Sequence, residues 1–397
     1  MINSQHNSRP ATLWTKNFIG ITVINFLLFC GFQMLVPTLP VFVKDVGCSD
    51  SVIGWLVGIS TLASLLIRPF CGLALDRFGR KVILIIGTGL VIITTLVYHW
   101  LAIIAIILAV RFIQGLGWGI CTTASSTVAT DTLPKSRFGE GMGYFSLSVS
   151  LGIAIGPTIG VSVMNATDFT FMSFVAAGIA FLAILLALVI KYRKIAPSAS
   201  FQFSLDAIFE KTAIRPSVLI FLACCCNGAV FGFISLYGLE KGIENIGLYF
   251  TFYAISSLLT RPLIGKMIDR FGFDVVIFPG IILVAAGLLA IGSASNLAVF
   301  LLGAVFFGVG FAAVMTTLQT MSVLFAPRSR FGAANATFYI GFDAGTGFGS
   351  ILAGFVASLI GYGPMFCSFS LFMLSAAVLY IVFKKNGSKP SAADSDQ

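Results

Sequence analysis

Between Asp168 and Lys191 the chain carries no charge, and eleven further stretches are apolar runs with at most two charges each. About 20 apolar residues is the length a helix needs to cross the hydrocarbon core of a membrane. In lipid every backbone N–H and C=O must be satisfied within the protein, so only helices or a closed barrel can span it. The runs lack strict alternation, which leaves helices. Composition agrees: 58% of the 397 residues are hydrophobic and only 10% are charged, against about 25% charged in a soluble domain. The chain reads as an all-α membrane protein whose solvent is the lipid bilayer.

Twelve spans are expected, at about 17–39, 52–73, 82–98, 101–123, 140–164, 168–190, 216–238, 245–266, 275–293, 297–322, 332–360 and 363–383. The most polar internal stretch, residues 191–215, divides them into a bundle at 17–190 and a bundle at 216–383, with tails at 1–16 and 384–397. The first apolar run, from Phe18, is too long for the core of a cleavable leader and reads as a span. Basic residues sit in short runs between spans, which fits topology better than nucleic-acid binding despite a net charge of +9. One side collects Arg77, Arg80, Lys81, Lys135, Arg137, Arg193, Arg270, Arg328 and Arg330, while the other carries Lys44 and Lys241. The asymmetry puts both termini and the linker in the cytoplasm, in a cytoplasmic (inner) membrane.

The chain also repeats itself. SLLIRPFCGLALDRFGRK at 64–81 and SLLTRPLIGKMIDRFGFD at 257–274 share ten of eighteen positions at an offset of 193. The same offset relates Pro134–Gly139 to Pro327–Gly332, and Gly115 and Gly117 to Gly308 and Gly310. Two six-helix bundles in one orientation, related by an axis along the membrane normal, account for this. One chain holds both halves, so a monomer suffices.

Each repeated loop joins two spans on the cytoplasmic face. Gly72 allows close helix approach, and Gly79 and Gly272 suit a tight turn with positive φ. Asp76 and Asp269 sit at the cytoplasmic edge, the face on which the fifth and eleventh spans also begin. A helix N-terminus favours a carboxylate, so these acids, with Arg77, Arg80 and Arg270 beside them, are expected to latch the halves together at about 1 kcal/mol per contact.

GLALDRFGRK at 72–81 resembles the signature loop of the major facilitator superfamily. RFIQGLGWG at 111–119 resembles the fourth-helix motif of its drug–proton antiporter branch, and MLVPTLPVF at 34–42 the end of that branch's first helix. GIAIGPTIG at 152–160, with Gly143 upstream, resembles the fifth-helix motif linked with antiport, departing from it at Val163 where the pattern ends in Gly. The resemblance implies two pseudo-symmetric six-helix bundles that rock around a central cavity. It also implies a coupling role for Arg111, and close helix approach through Gly152, Gly156, Pro157 and Gly160.

Ionisable groups at membrane depth are rare and functional by default. Arg111 is expected near the middle of the fourth span, and its repeat partner is Ala304, so it does not belong to the shared scaffold. Asp343 is expected deep in the eleventh span, opposite Ser150 in the repeat. A carboxylate with little water around it is drawn toward its neutral form and can exchange a proton. Arg68 and Arg261 are paired across the repeat and read as scaffold, reaching headgroups or the latch rather than substrate. Asn25, Gln33, Gln114, Asn227, Tyr253, Gln319, Asn335 and Tyr339 are candidates to line the cavity.

These features point to a proton-coupled exporter of small organic molecules, with a nutrient or sugar–proton importer on the same fold as the alternative. Catalysis is not expected: there is no nucleotide loop, paired catalytic carboxylates or nucleophile–base pair. No cofactor motif appears, and neither the cysteines nor His6 and His99 have metal-ligand spacing.

Overall fold

The computed structural model describes residues 12–45, 50–101, 103–193, 209–243 and 245–387. The readings that fall on most of both tails, on Cys48 and on most of the linker lie outside the described residues. Twelve long helices are present among them. They are α1 (Lys16–Asp45), α2 (Asp50–Phe78), α3 (Arg80–Val97), α4 (Ile104–Thr132), α5 (Phe138–Ala166), α6 (Phe169–Val189), α7 (Lys211–Glu240), α8 (Leu248–Phe271), α9 (Asp274–Gly292), α10 (Leu297–Leu324), α11 (Phe331–Ile360) and α12 (Tyr362–Gly387). Eleven are long and apolar enough to cross a membrane. The other, α8, carries Arg261, Lys266, Asp269 and Arg270.

Several helices run a few residues past the expected ends, α1 and α4 the furthest. α1 continues through Pro37 and Pro40 to Asp45, since neighbouring helices can support the backbone around a membrane proline. α4 ends at Thr132 rather than near residue 123. Its run of small hydroxyl residues looks like a helix end. Instead Thr122, Thr123 and Thr127 donate to the carbonyls of Trp118, Gly119 and Thr123, four residues back, so the hydroxyls are satisfied inside the helix.

Within each set of six the packing is equivalent. α1 lies on α5 and α6, and α7 on α11 and α12; α4 lies on α2 and α3, and α10 on α8 and α9. Between the sets, α2 packs on α11 and α5 on α8. Residues 193 apart even meet each other. Gln319 Nε2 donates to Ser126 Oγ at 3.1 Å, and the Phe138 and Phe331 rings lie 6.5 Å apart. Equivalent positions can touch only on the axis that relates them, so the pseudo-two-fold axis passes through these pairs. Gly79 and Gly272 adopt φ of 95° and 82° in the turns after α2 and α8, a region where a Cβ would strain the backbone.

Candidate transport site and the contacts between halves

The α2 and α8 ends meet the opposite half in the same way. The Asp76 carboxylate accepts from the Gly332 and Ala333 amides, at 3.0 and 2.9 Å, at the start of α11. The Asp269 carboxylate accepts from the Gly139 and Glu140 amides, both at 2.7 Å, at the start of α5. Both satisfy amides that a helix N-terminus leaves unpaired. Glycine permits the approach: a Cβ on Gly72 would stand 3.0 Å from the Gly332 carbonyl oxygen, and one on Gly265 would collide with the Gly139 carbonyl.

The surroundings of the two acids differ. Arg80 is 2% exposed and bridges Asp76 at 3.2 Å and Asp131 at 2.8 Å, while donating to the Leu75 carbonyl at 2.7 Å. At the second copy Phe273 replaces Arg80 and Leu324 replaces Asp131. Glu140 is instead held by Arg137 at 2.7 Å. Arg77 and Arg270 are exposed, each guanidinium lying over the next residue's ring, Phe78 and Phe271.

Deeper in the bundle, Asp343 Oδ2 accepts from Arg68 Nε at 2.7 Å and from Ser64 Oγ at 2.9 Å. The expectation that Arg68 reaches headgroups or the latch is corrected here. The side chain is 2% exposed, donates to Thr123 Oγ1 at 3.0 Å and stacks 4.5 Å from the Tyr339 ring centre. Asp343 is therefore not an isolated acid. It is one partner of a buried ion pair that crosses from α11 to α2, joining the halves. Their remaining polar partners, Ser64, Thr122 and Thr123, are neutral hydroxyls, so each charge is the other's principal compensation for leaving water.

Asp343 also lines a cavity of about 160 Å³ with Ser60 and Ser64 of α2, Phe32, Leu39 and Pro40 of α1, and Arg111 and Trp118 of α4. Arg111 does not sit at mid-helix as expected. α4 is longer than the sequence suggested, and Arg111 falls in its first third, toward the end of the bundle opposite the Asp76 and Asp269 contacts. Its Nε donates to the Leu56 carbonyl at 3.1 Å and its Nη1 to Gln114 Oε1 at 2.5 Å. Gln114 in turn accepts from Tyr98 and donates to Thr95. The guanidinium is thus oriented entirely by neutral groups.

None of the eight polar candidates is among that cavity's lining residues. Asn25 ties α1 to Ser148 and Ser125. Gln33 lies in the α1–α5 seam, where Gly152, Gly156 and Gly160 pack on Phe29, Cys30 and Met34 around Pro157. Gln114 serves Arg111. Gln319, Asn335 and Tyr339 form a chain of hydrogen bonds with Ser126 on the axis. Tyr253 packs edge-on to Phe231, and Asn227 has a buried Oδ1 without a partner. Sequence reasoning missed Ser64, Phe32 and Trp118. The available signal was that Arg68 and Asp343, opposite in sign, both fall at membrane depth.

Two matched bundles, each presenting an acid to a helix start in the other half, and a largely apolar cavity in the first bundle that Asp343 of the second half reaches, are the architecture of a transporter. Residues 21–244 and 238–397 match the Major Facilitator Superfamily. The chain belongs to that superfamily. As a member it is an integral membrane protein, a secondary transporter that moves small molecules across the bilayer rather than an enzyme. It is 24% identical over 382 residues to an uncharacterised superfamily transporter of Methanocaldococcus jannaschii, covering 92% of this chain and 97% of the relative. It is 22% identical over 394 residues to the staphylopine export protein of Staphylococcus aureus, covering 95% and 98%. Among solved structures it superposes on the human organic anion transporter MFSD10 with a TM-score of 0.80 at 18% identity, covering 91% of this chain and 98% of that one. At that identity the likeness speaks for the superfamily fold.

Proposed function

We propose that this superfamily member exports small organic molecules in exchange for protons, by alternating access, with Asp343 as the proton-carrying group. The observation that carries the reading is the double position of Asp343: it faces the cavity and it also holds Arg68 across the seam between halves. A proton arriving through the cavity would neutralise the carboxylate and remove the charge that fixes Arg68. The α2–α11 tie then weakens, and a change in protonation becomes a change in which conformation is favoured. The fourth- and fifth-helix motifs and the likeness to an export protein support the outward direction.

In this reading Arg111, which lines the same cavity as Asp343, takes part in the proton coupling. Asp76 and Asp269 are the latch on the cytoplasmic face, with Gly72, Gly79 and Arg80 shaping it. Each carboxylate–amide contact contributes on the order of 1 kcal/mol, enough to bias two states without locking one. The test is proton flux in vesicles reconstituted with the full chain, read with a pH-sensitive dye while lipophilic cations and chelating metabolites are added. Wild type should release protons with an exported compound and Asp343→Asn should not. Uphill transport at the full rate by Asp343→Asn would end the assignment.

A further inference from the structure

The two halves carry the same donors and different acceptors. Moving Ser64, Arg68 and Asp343 by one repeat gives Ser257 and Arg261 on α8 and Ser150 on α5. All three are buried, at 2%, 4% and 7% exposure. With no carboxylate opposite, Arg261 turns Nε back onto Ser257 Oγ at 3.3 Å. Its Nη1 donates to the Ser146 carbonyl at 2.9 Å and its Nη2 lies 3.9 Å from Met315 Sδ. Among the described residues no Asp or Glu forms an ion pair with it. Thr316 is the repeat partner of Thr123, which accepts from Arg68, yet its buried hydroxyl has no partner among the described residues.

A buried guanidinium facing only neutral acceptors is costly, and more so at membrane depth. The Arg68 site shows what this arrangement of donors holds when it is filled: one carboxylate. We propose that Ser257, Arg261 and Ser150 form the receiving site for the carboxylate of a transported organic acid, at the point that Asp343 occupies in the other half. The position suits such a role. Arg261 lies near the middle of α8 and reaches across the α5–α8 seam, and superfamily transporters bind cargo near the midplane between repeats. A cargo carboxylate there ties α8 to α5, as Asp343 ties α11 to α2. Guanidinium recognition of a carboxylate is planar and directional, so a neutral amide of the same shape is a poor substitute. The inference rests on membership of the transporter superfamily and needs neither a proton nor a direction.

The test is equilibrium binding to the purified full-length chain in detergent, with radiolabelled benzoate, nicotinate and salicylate, competed by their amides or by chloride. Wild type should bind at least one acid, and its amide should not displace it. Ser150→Asp supplies an internal carboxylate and should weaken binding by about tenfold or more, the equivalent of about 1.4 kcal/mol. Ser150→Asn, of the same shape without charge, should weaken it far less. Arg261→Gln gives a second reading if Ser150→Asp does not purify as a single species, and should abolish binding. Equal displacement by amides, displacement by chloride alone, unchanged affinity in Ser150→Asp or no binding of any of the three acids would each overturn the proposal. Binding requires no gradient, so its failure leaves the proton-flux result standing, and the reverse also holds.

Discussion

Arg68 and Arg261 occupy the same point of the repeat, yet one meets a carboxylate at 2.7 Å and the other a backbone carbonyl at 2.9 Å. The same contrast recurs at the helix ends, where Asp76 belongs to a network with Arg80 and Asp131 while Asp269 has Phe273 and Leu324 in the matching places. What the halves share is mechanical: glycines at the seams, acids on helix starts, positive-φ turns. What they do not share is the set of partners that their charges meet, nor do they share every charge. Arg111 faces Ala304 in the repeat and Asp343 faces Ser150. The two charged groups of the proposed coupling site lie where the repeat breaks.

The largest test of that contrast is Arg68→Leu against Arg261→Leu. Removing Arg68 strands Asp343, a loss of about 3–5 kcal/mol. Removing Arg261 strands only neutral acceptors, about 1–3 kcal/mol. Thermal unfolding of the purified chain in detergent should show the lower midpoint for Arg68→Leu, and adding Asp343→Leu should recover part of the loss. Equal midpoints would mean that the ion pair adds nothing beyond its hydrogen bonds.

A smaller difference is expected between Asp76→Asn and Asp269→Asn. Both weaken an acid on a helix start, and at about 1 kcal/mol the shift in conformational population is about fivefold. Asp76→Asn also leaves Arg80 with Asp131 as its remaining acid, so its effect should be the greater. The labelling rate of a cysteine placed at Ser322, buried in α10, reports the opening of this end of the bundle. Faster labelling in Asp269→Asn than in Asp76→Asn would reverse the ranking. The smallest contrast should be none at all: Gly79→Ala and Gly272→Ala force the same positive φ and should each cost about 1 kcal/mol, read as similar losses of unfolding midpoint.

The helices were legible because lipid allows few alternatives to a long apolar run. The helix-start contacts of Asp76 and Asp269 were legible because two copies of one motif, on one face, imply one geometry. Arg68 was misread for the same reason: its match to Arg261 suggested scaffold, when the difference lies in what each meets. Asp343 is 275 positions away from it, and no local pattern announces a contact between two halves. Arg111 was placed too deep because the hydroxyl residues after it resemble a helix end until their bonds to the preceding turn are seen.

The on-axis contact between Ser126 and Gln319 has a consequence for how such a molecule can come to exist. A homodimer of one six-helix half must place the same residue on both sides of its axis, so serine would meet serine or glutamine would meet glutamine. Halves that differ in sequence, here carried in one chain, can put a serine opposite a glutamine, or an acid in one seam and a serine at the matching place in the other. Divergence of the two halves within one chain thus lets them specialise while staying at a fixed one-to-one ratio: an asymmetric task becomes available to a shape that remains nearly symmetric.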